Sequence, residues 1–428
     1  MAEGGGALMT AFLGAVLLLH GSVVVEDNHG YGSSTWFTGG GIWHGQSGSS
    51  FLSHGVTFRA NSAMLGGGFY DDGIQPLDGT IKMENISMID NTARASGGGA
   101  FFFGRSIEIS RVSFRNNVCS GQGGGVSFEA GSAVKVRSST FINNKGAKGG
   151  ALFANGKHTV LDVDSTTFRS NAATEEGGGI YLLGAAKATL FKTSFSSCTA
   201  DQNGGGICTR GNSDLTLKGE VSISGCQSLN GMGGGVLAAG GSLTVNAPQN
   251  KPVSISSNRA RRGGGLSFMA PVHLESSTLF ILENTASENG GGIFGFSNLA
   301  EMNIGMDHRL IVKVILFLCA CACVRACCML DLLLYSPCLL AMLVRACVCN
   351  TTLMGISNQD NGAKQDGGGI SLAQGAILSV DTPTCGSACQ STMRANGLCD
   401  LACMTAGCNW DDGEVLIKHN KEKVLCIC

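Results

Sequence analysis

GGGVSFEAGSAVKVRSSTFINN, residues 123–144, decides the fold. After the turn Gly123-Gly124-Gly125, Val126 and Phe128 flank Ser127, and Val134 and Val136 flank Lys135. Phe141-Ile142-Asn143-Asn144 then leads to the next glycine turn at Gly149. Alternation of apolar and polar residues over runs this short marks half-buried strands, not helices. The unit reads as three short strands whose shared apolar face it cannot bury alone, so it needs copies of itself to stack on.

The copies are present. The glycine turn recurs at Gly4, Gly39, Gly66, Gly97, Gly123, Gly149, Gly177, Gly204, Gly233, Gly263, Gly290 and Gly367, mostly 25 to 31 residues apart. Upstream of most turns an apolar residue is followed three positions later by Asn, as in Phe58/Asn61, Met88/Asn91, Phe114/Asn117, Phe141/Asn144, Phe168/Asn171, Ile255/Asn258 and Ile281/Asn284. This period with short strands is a solenoid signature. The expected fold is all-β: a right-handed parallel β-helix solenoid of about ten or more coils, three strands per coil, plus a small disulfide-rich C-terminal module. Coils would stack about 4.8 Å apart. The Asn residues are expected to stack at one turn, hydrogen-bond along the axis and tolerate left-handed backbone. Cys198 and Cys226 take the Asn place in consecutive coils, near the roughly 5–6 Å Cα spacing that disulfides prefer, so they can pair.

Composition narrows the function classes. The chain has 428 residues, 65 of them Gly, but 43% are apolar, which separates it from a disordered glycine-rich linker. Only 14% are charged and the net charge is −2, so there is no basic footprint for nucleic acid.

The paired motif resembles the repeats of chlamydial polymorphic outer membrane proteins, GGA[ILV] with FxxN. Phe141-Ile142-Asn143-Asn144 with Gly149-Gly150-Ala151-Leu152 matches it, and the GGG-type copies match it more loosely, over residues 39–370. In that family the β-helix is a surface-exposed passenger implicated in adhesion. The resemblance therefore implies an extracellular or cell-surface rod that engages a surface protein or a glycan.

The repeat assigns residues 1–305 to the β-helix, with residues 1–25 read either as a coil or as a signal peptide around the apolar run 11–19. Residues 306–350 form a hydrophobic Cys-rich insertion: the glycine turns at Gly290 and Gly367 stand 77 residues apart, and eight Cys crowd residues 308–350. The run CACACVRAC is what a GT/GC-alternating tract encodes, so this stretch reads as retained intronic sequence. The alternative is a membrane hairpin through residues 310–345, although its uncharged runs fall short of the roughly 18 residues a spanning helix needs. Residues 351–380 return to the repeat for a last coil.

Residues 382–415 carry different chemistry. Cys385, Cys389, Cys399, Cys403 and Cys408 lie within about thirty residues, a density that indicates a disulfide-stapled module in an oxidising compartment. Asp411, Asp412 and Glu414 cluster after Trp410, hard oxygen donors of the kind calcium takes. The stretch resembles a Lin-12/Notch repeat, NGxCDxxC followed by CxWDGGDC, matched by Asn396-Gly397-Leu398-Cys399-Asp400-Leu401-Ala402-Cys403 and Cys408-Asn409-Trp410-Asp411-Asp412-Gly413-Glu414. The resemblance implies one Ca2+ held by Asn396, Asp411 and Glu414, and three disulfides. The sixth Cys of the pattern falls on Val415. Residues 416–428 read as an unstructured tail.

No catalytic set is expected. Asp71-Asp72 stands alone, Glu175-Glu176 reads as a solvated turn, and Arg259, Arg261 and Arg262 read as a charged turn. His44, His54 and His273 fall in different coils with no partner pattern. The expected function is non-enzymatic adhesion or interaction at the cell surface, with calcium in the Notch-type module. The alternatives are a polysaccharide-active lyase or hydrolase, which would show acidic residues on one face across adjacent coils between Gly66 and Gly123, and a membrane-anchored receptor fragment.

Overall fold

The computed structural model describes residues 8–10, 16–30, 38–45, 50–73, 79–248, 250–274 and 278–296, together with strands at Glu301–Ile304, Arg309–Lys313, Ser357–Gln359, Gly362–Ala363, Ile370–Ala373, Ile377–Val380, Leu416–His419 and Glu422–Leu425. The chain is a parallel β-solenoid. Strands at corresponding places in successive coils pair into three twelve-stranded sheets and one ten-stranded sheet.

The coils of the regular part have four strands where three were expected. The coil opened by Gly123 runs through β1 (Val126–Glu129), β2 (Ala133–Arg137), β3 (Thr140–Ile142) and β4 (Lys145–Lys148). The fourth strand lacks apolar alternation because its inward position holds a small residue: Ala93, Cys119, Ala173, Ala200, Ser228, Ala260 and Ala286 are all buried there. Small inward residues let this wall close against the others, and they erase the signal that periodicity reads.

The core is a set of residue columns. Phe114, Phe141, Phe168 and Phe195 stack with ring centroids 4.6 to 4.8 Å apart and planes within 5°. All four are fully buried, which contributes roughly 1.5–3 kcal/mol each relative to exposure. Turn chemistry holds the register. Gly123 sits at φ 66°, and a Cβ on Gly124 would run into the carbonyl oxygen of Gly150 in the next coil. Glycine is needed there for backbone approach as much as for conformation.

The expected Asn ladder is present. Asn117 donates from both its N–H and its Nδ2 to Asn144 Oδ1 (3.0 Å each), and Asn144 does the same to Asn171 Oδ1 (2.9 and 3.0 Å). Each Nδ2 also donates to a carbonyl of the preceding coil, Asn144 to Phe114 O at 3.0 Å. The left-handed residue is not the ladder Asn but the one before it: Asp90, Asn116, Asn143, Ser170, Ser197, Ser257 and Glu283 all have φ between 54° and 57°. Turning the corner and bonding along the axis are done by adjacent residues.

At the N-terminal end, Leu17, Leu19, Val23 and Val25 pack partly buried against the core, and Val16–His20 pairs in register with Ser50–His54. Within the stretch read as an insertion, Arg309–Lys313 is a solenoid strand paired to Thr278–Leu282 and, at Ile311, to Ser357. Residues 416–428, read as an unstructured tail, contain an antiparallel pair, Leu416–His419 with Glu422–Leu425. Two short β-prone runs separated by two residues favour a hairpin. Among the described residues no helix is long and apolar enough to cross a membrane.

Candidate functional site

The Gly66 coil and its neighbours bring together what the linear chain keeps apart. The strands Ile42–Gly45 and Phe69–Asp72 pair with His44 opposite Asp71. Both positions point inward, in the column that Phe102 and Phe128 occupy one and two coils later. His44 Nδ1 donates to Asp71 Oδ1 at 2.7 Å, and Arg105 Nε lies 3.0 Å from Asp71 Oδ2. Asp71 and His44 are completely buried and Arg105 is 2% exposed. Burial pushes the Asp71 carboxyl up, opposed by the His44 hydrogen bond and the Arg105 guanidinium. His44 therefore has a carboxylate partner, and Asp71 does not stand alone. The signal was countable: His44 and Asp71 each stand five residues after the first glycine of their turn, Gly39 and Gly66. Sealed from solvent, the cluster holds the interior and cannot meet a substrate.

Asp72, the next residue, faces the other way. The outward column of the first sheet runs Trp43, Tyr70, Phe101, Ser127, Phe153, Tyr181 in register. Tyr70 and Phe101 stack at 5.3 Å and 9°, Trp43 and Tyr70 at 6.5 Å. Beside this column stand Asp72, Phe103 and Glu129, with Phe103 directly opposite Glu129. Asp72 is raised above the usual carboxylate range by burial and by Asp71, with Arg105 opposing. Glu129 is raised by burial, opposed by hydrogen bonds from Ser127 and Ser96. Burial, Asp72, Asp71 and Glu129 together push the Tyr70 hydroxyl up. Two half-exposed carboxylates thus lie two coils apart, about 10 Å of backbone at 4.8 Å per coil.

Further along, the outward column becomes a second apolar cluster of Phe153, Tyr181, Cys208 and Leu237. Glu176 closes over it, and it is not a solvated turn residue. Arg210 Nε donates to its Oε2 at 2.7 Å and Asn203 Nδ2 to its Oε1 at 2.7 Å. Burial alone would raise Glu176, but these donors hold it below the usual range. Glu175 reaches Lys148 at 3.4 Å, and Arg261 and Arg262 both bind Glu288, as a charged turn should. His54 lies 3.7 Å from Glu84 at the surface.

Among the described residues no group of His, Cys, Asp or Glu is placed to hold a metal ion. The calcium candidates Asn396, Asp411 and Glu414 and the cysteines Cys385, Cys389, Cys399, Cys403 and Cys408 lie outside the described residues.

Residues 149–312 match the family described as Right handed beta helix region, and residues 382–414 match the LNR domain. The first match falls on the solenoid, the second on the Cys-rich stretch. No curated protein and no solved structure matches the chain.

Proposed function

We propose that this chain is an extracellular or cell-surface β-helix protein that works without catalysis, presenting a rigid rod for adhesion or interaction with a surface protein or glycan, much as a polymorphic outer membrane protein passenger does. The observation that carries the reading is the joining of an in-register parallel solenoid to a stretch that matches the LNR domain. A solenoid multiplies one surface along its axis. A Cys-rich module of this kind belongs to an oxidising compartment. Calcium belongs to that module, through Asn396, Asp411 and Glu414.

Titration calorimetry of the full chain with CaCl2 tests the module: saturable binding is expected, lost in Asp411→Asn/Glu414→Gln. Surface biotinylation of cells expressing the native protein tests the location. A chain that is shielded from the reagent and binds no calcium would overturn the proposal.

A specific observation favours a second reading, a polysaccharide-active site. Asp72 and Glu129 share the outward edge of one sheet two coils apart, and burial raises both. A raised carboxyl is the proton donor glycoside cleavage needs, and inverting pairs stand about 6.5–9.5 Å apart, close to two coil steps. Release of new reducing ends from a panel of plant, algal and bacterial polysaccharides, lost in both Asp72→Asn and Glu129→Gln, would establish it. Absence of release by the unsubstituted chain would sink it.

A further inference from the structure

The Asn ladder is interrupted in two consecutive coils, at Cys198 and Cys226. The flanking rungs are Asn171 and Asn258, and the strands on either side keep register, with Ser196 opposite Ser224 and Thr199 opposite Gln227. The two cysteines therefore face each other across one coil step, about 4.8 Å, inside the Cα range of about 4.4–6.8 Å that a disulfide spans. Their sulfurs stand where the neighbouring rungs have amide oxygens. Asn171 Nδ2 approaches Cys198 Sγ at 4.0 Å, where it would otherwise have an Oδ1 at about 3.0 Å. Cys226 N–H donates onward to Asn258 Oδ1 at 2.8 Å. Both thiols are reduced in the structure, buried at 0% and 1% exposure, and in side-chain contact.

We infer that Cys198 and Cys226 are a disulfide-forming pair that closes as the solenoid folds in an oxidising medium, replacing the missing axial amide bonds by a covalent one. The oxidant is a small-molecule disulfide of the glutathione type. One protein thiolate attacks it and expels one thiolate, leaving a mixed disulfide. The second protein thiol gives its proton to solvent, attacks the first protein sulfur and expels the second thiolate. Two protein thiols thus lose two electrons and two protons, and one glutathione disulfide becomes two thiols. Burial of the pair requires that exchange take place before the neighbouring coils close over it.

Cys119 and Cys208 are the internal controls. Both are buried free thiols of the same solenoid. Their in-register neighbours are Ala93 for Cys119, and Tyr181 and Leu237 for Cys208, so among the described residues neither faces a sulfur across a coil step.

The test is to refold the full chain in a buffer of reduced and oxidised glutathione, alkylate it in denaturant without reductant, and map the tryptic peptides by mass. Because the buffer sets the redox potential, the result does not depend on where the protein resides, and a failure of the extracellular reading leaves this test intact. Cys198 and Cys208 share a tryptic peptide, so the mapping is repeated in Cys208→Ser. The expected result is one cross-linked species joining residues 193–210 to residues 219–259 in both proteins, with Cys119 alkylated. A matching stability readout is Cys198→Asn/Cys226→Asn, which restores the ladder. It should raise the melting temperature over the unsubstituted chain in reducing buffer, and the gap should shrink or vanish in oxidising buffer. Full alkylation of both Cys198 and Cys226 after oxidative refolding, with the solenoid's circular dichroism intact, would overturn the inference.

Discussion

At the scale of single residues, the buried set of His44, Asp71 and Arg105 is where interior chemistry departs most from a plain apolar column. One ion pair sits between Phe51 and Phe69, whose rings lie 5.9 and 6.3 Å from the imidazole. Removing one member of such a pair is far costlier than never having it, because the survivor is left in a dry site without its counter-charge. Arg105→Met should therefore destabilise the N-terminal coils by about 3–5 kcal/mol near neutral pH. The pH dependence has a definite sign. Burial raises Asp71, so the folded state holds its proton more tightly than the unfolded chain and stability is lost as pH rises. Without the guanidinium that shift grows. Urea midpoints of Arg105→Met should consequently approach those of the unsubstituted chain toward pH 4 and separate toward pH 8; a gap independent of pH would contradict this account.

At the scale of the element, the corner between the third and fourth strands is held by polar side chains in a wholly buried place. Asn144 gives up two amide hydrogens and accepts two, all to coil neighbours. Asn144→Ala leaves the Asn117 donors and the Phe114 carbonyl without their partner, at roughly 1–3 kcal/mol per stranded group. A loss on the order of 3 kcal/mol or more is expected, with a smaller loss for Asn28→Ala, where the side chain is only partly buried. Thermal melts of the two variants compare them directly. A steric counterpart is Gly124→Ala: its new methyl group meets backbone, not a movable side chain, so the coils must separate locally. It should cost more than Gly131→Ala, where the nearest atom is the side-chain Cβ of His158 at 3.3 Å and only the left-handed backbone, φ 84°, penalises the change.

At the scale of the whole molecule, every coil touches only its two neighbours, and stability should be distributed along a line. Hydrogen exchange is the natural measure. Amides of the Phe114, Phe141 and Phe168 coils should be the slowest. Protection should fall toward the Val16–His20 end, where Val16 and Leu18 are 65% and 64% exposed. Uniform protection from end to end would mean that the coils unfold as one cooperative block. Chelation of calcium should leave this gradient unchanged, since the calcium candidates lie beyond residue 380.

Much of this was legible in the chain. The glycine triplets and the apolar-x-x-Asn signature were enough for a parallel solenoid, its coil length and the axial Asn ladder, because those features repeat at a constant interval and each copy restates the same local requirement. The Cys spacing was likewise enough to mark the LNR-like stretch. Missed in the sequence were the fourth strand, whose small inward residues carry no alternation, and the partners of His44, Asp71 and Glu176, although the His44–Asp71 pairing could have been counted from the turn glycines. Those contacts join residues 27 and 34 positions apart. In a solenoid such a separation is one coil or slightly more, so stacking alone decides which side chains share a rung. It also decides which of two adjacent aspartates faces the dry interior and which faces water.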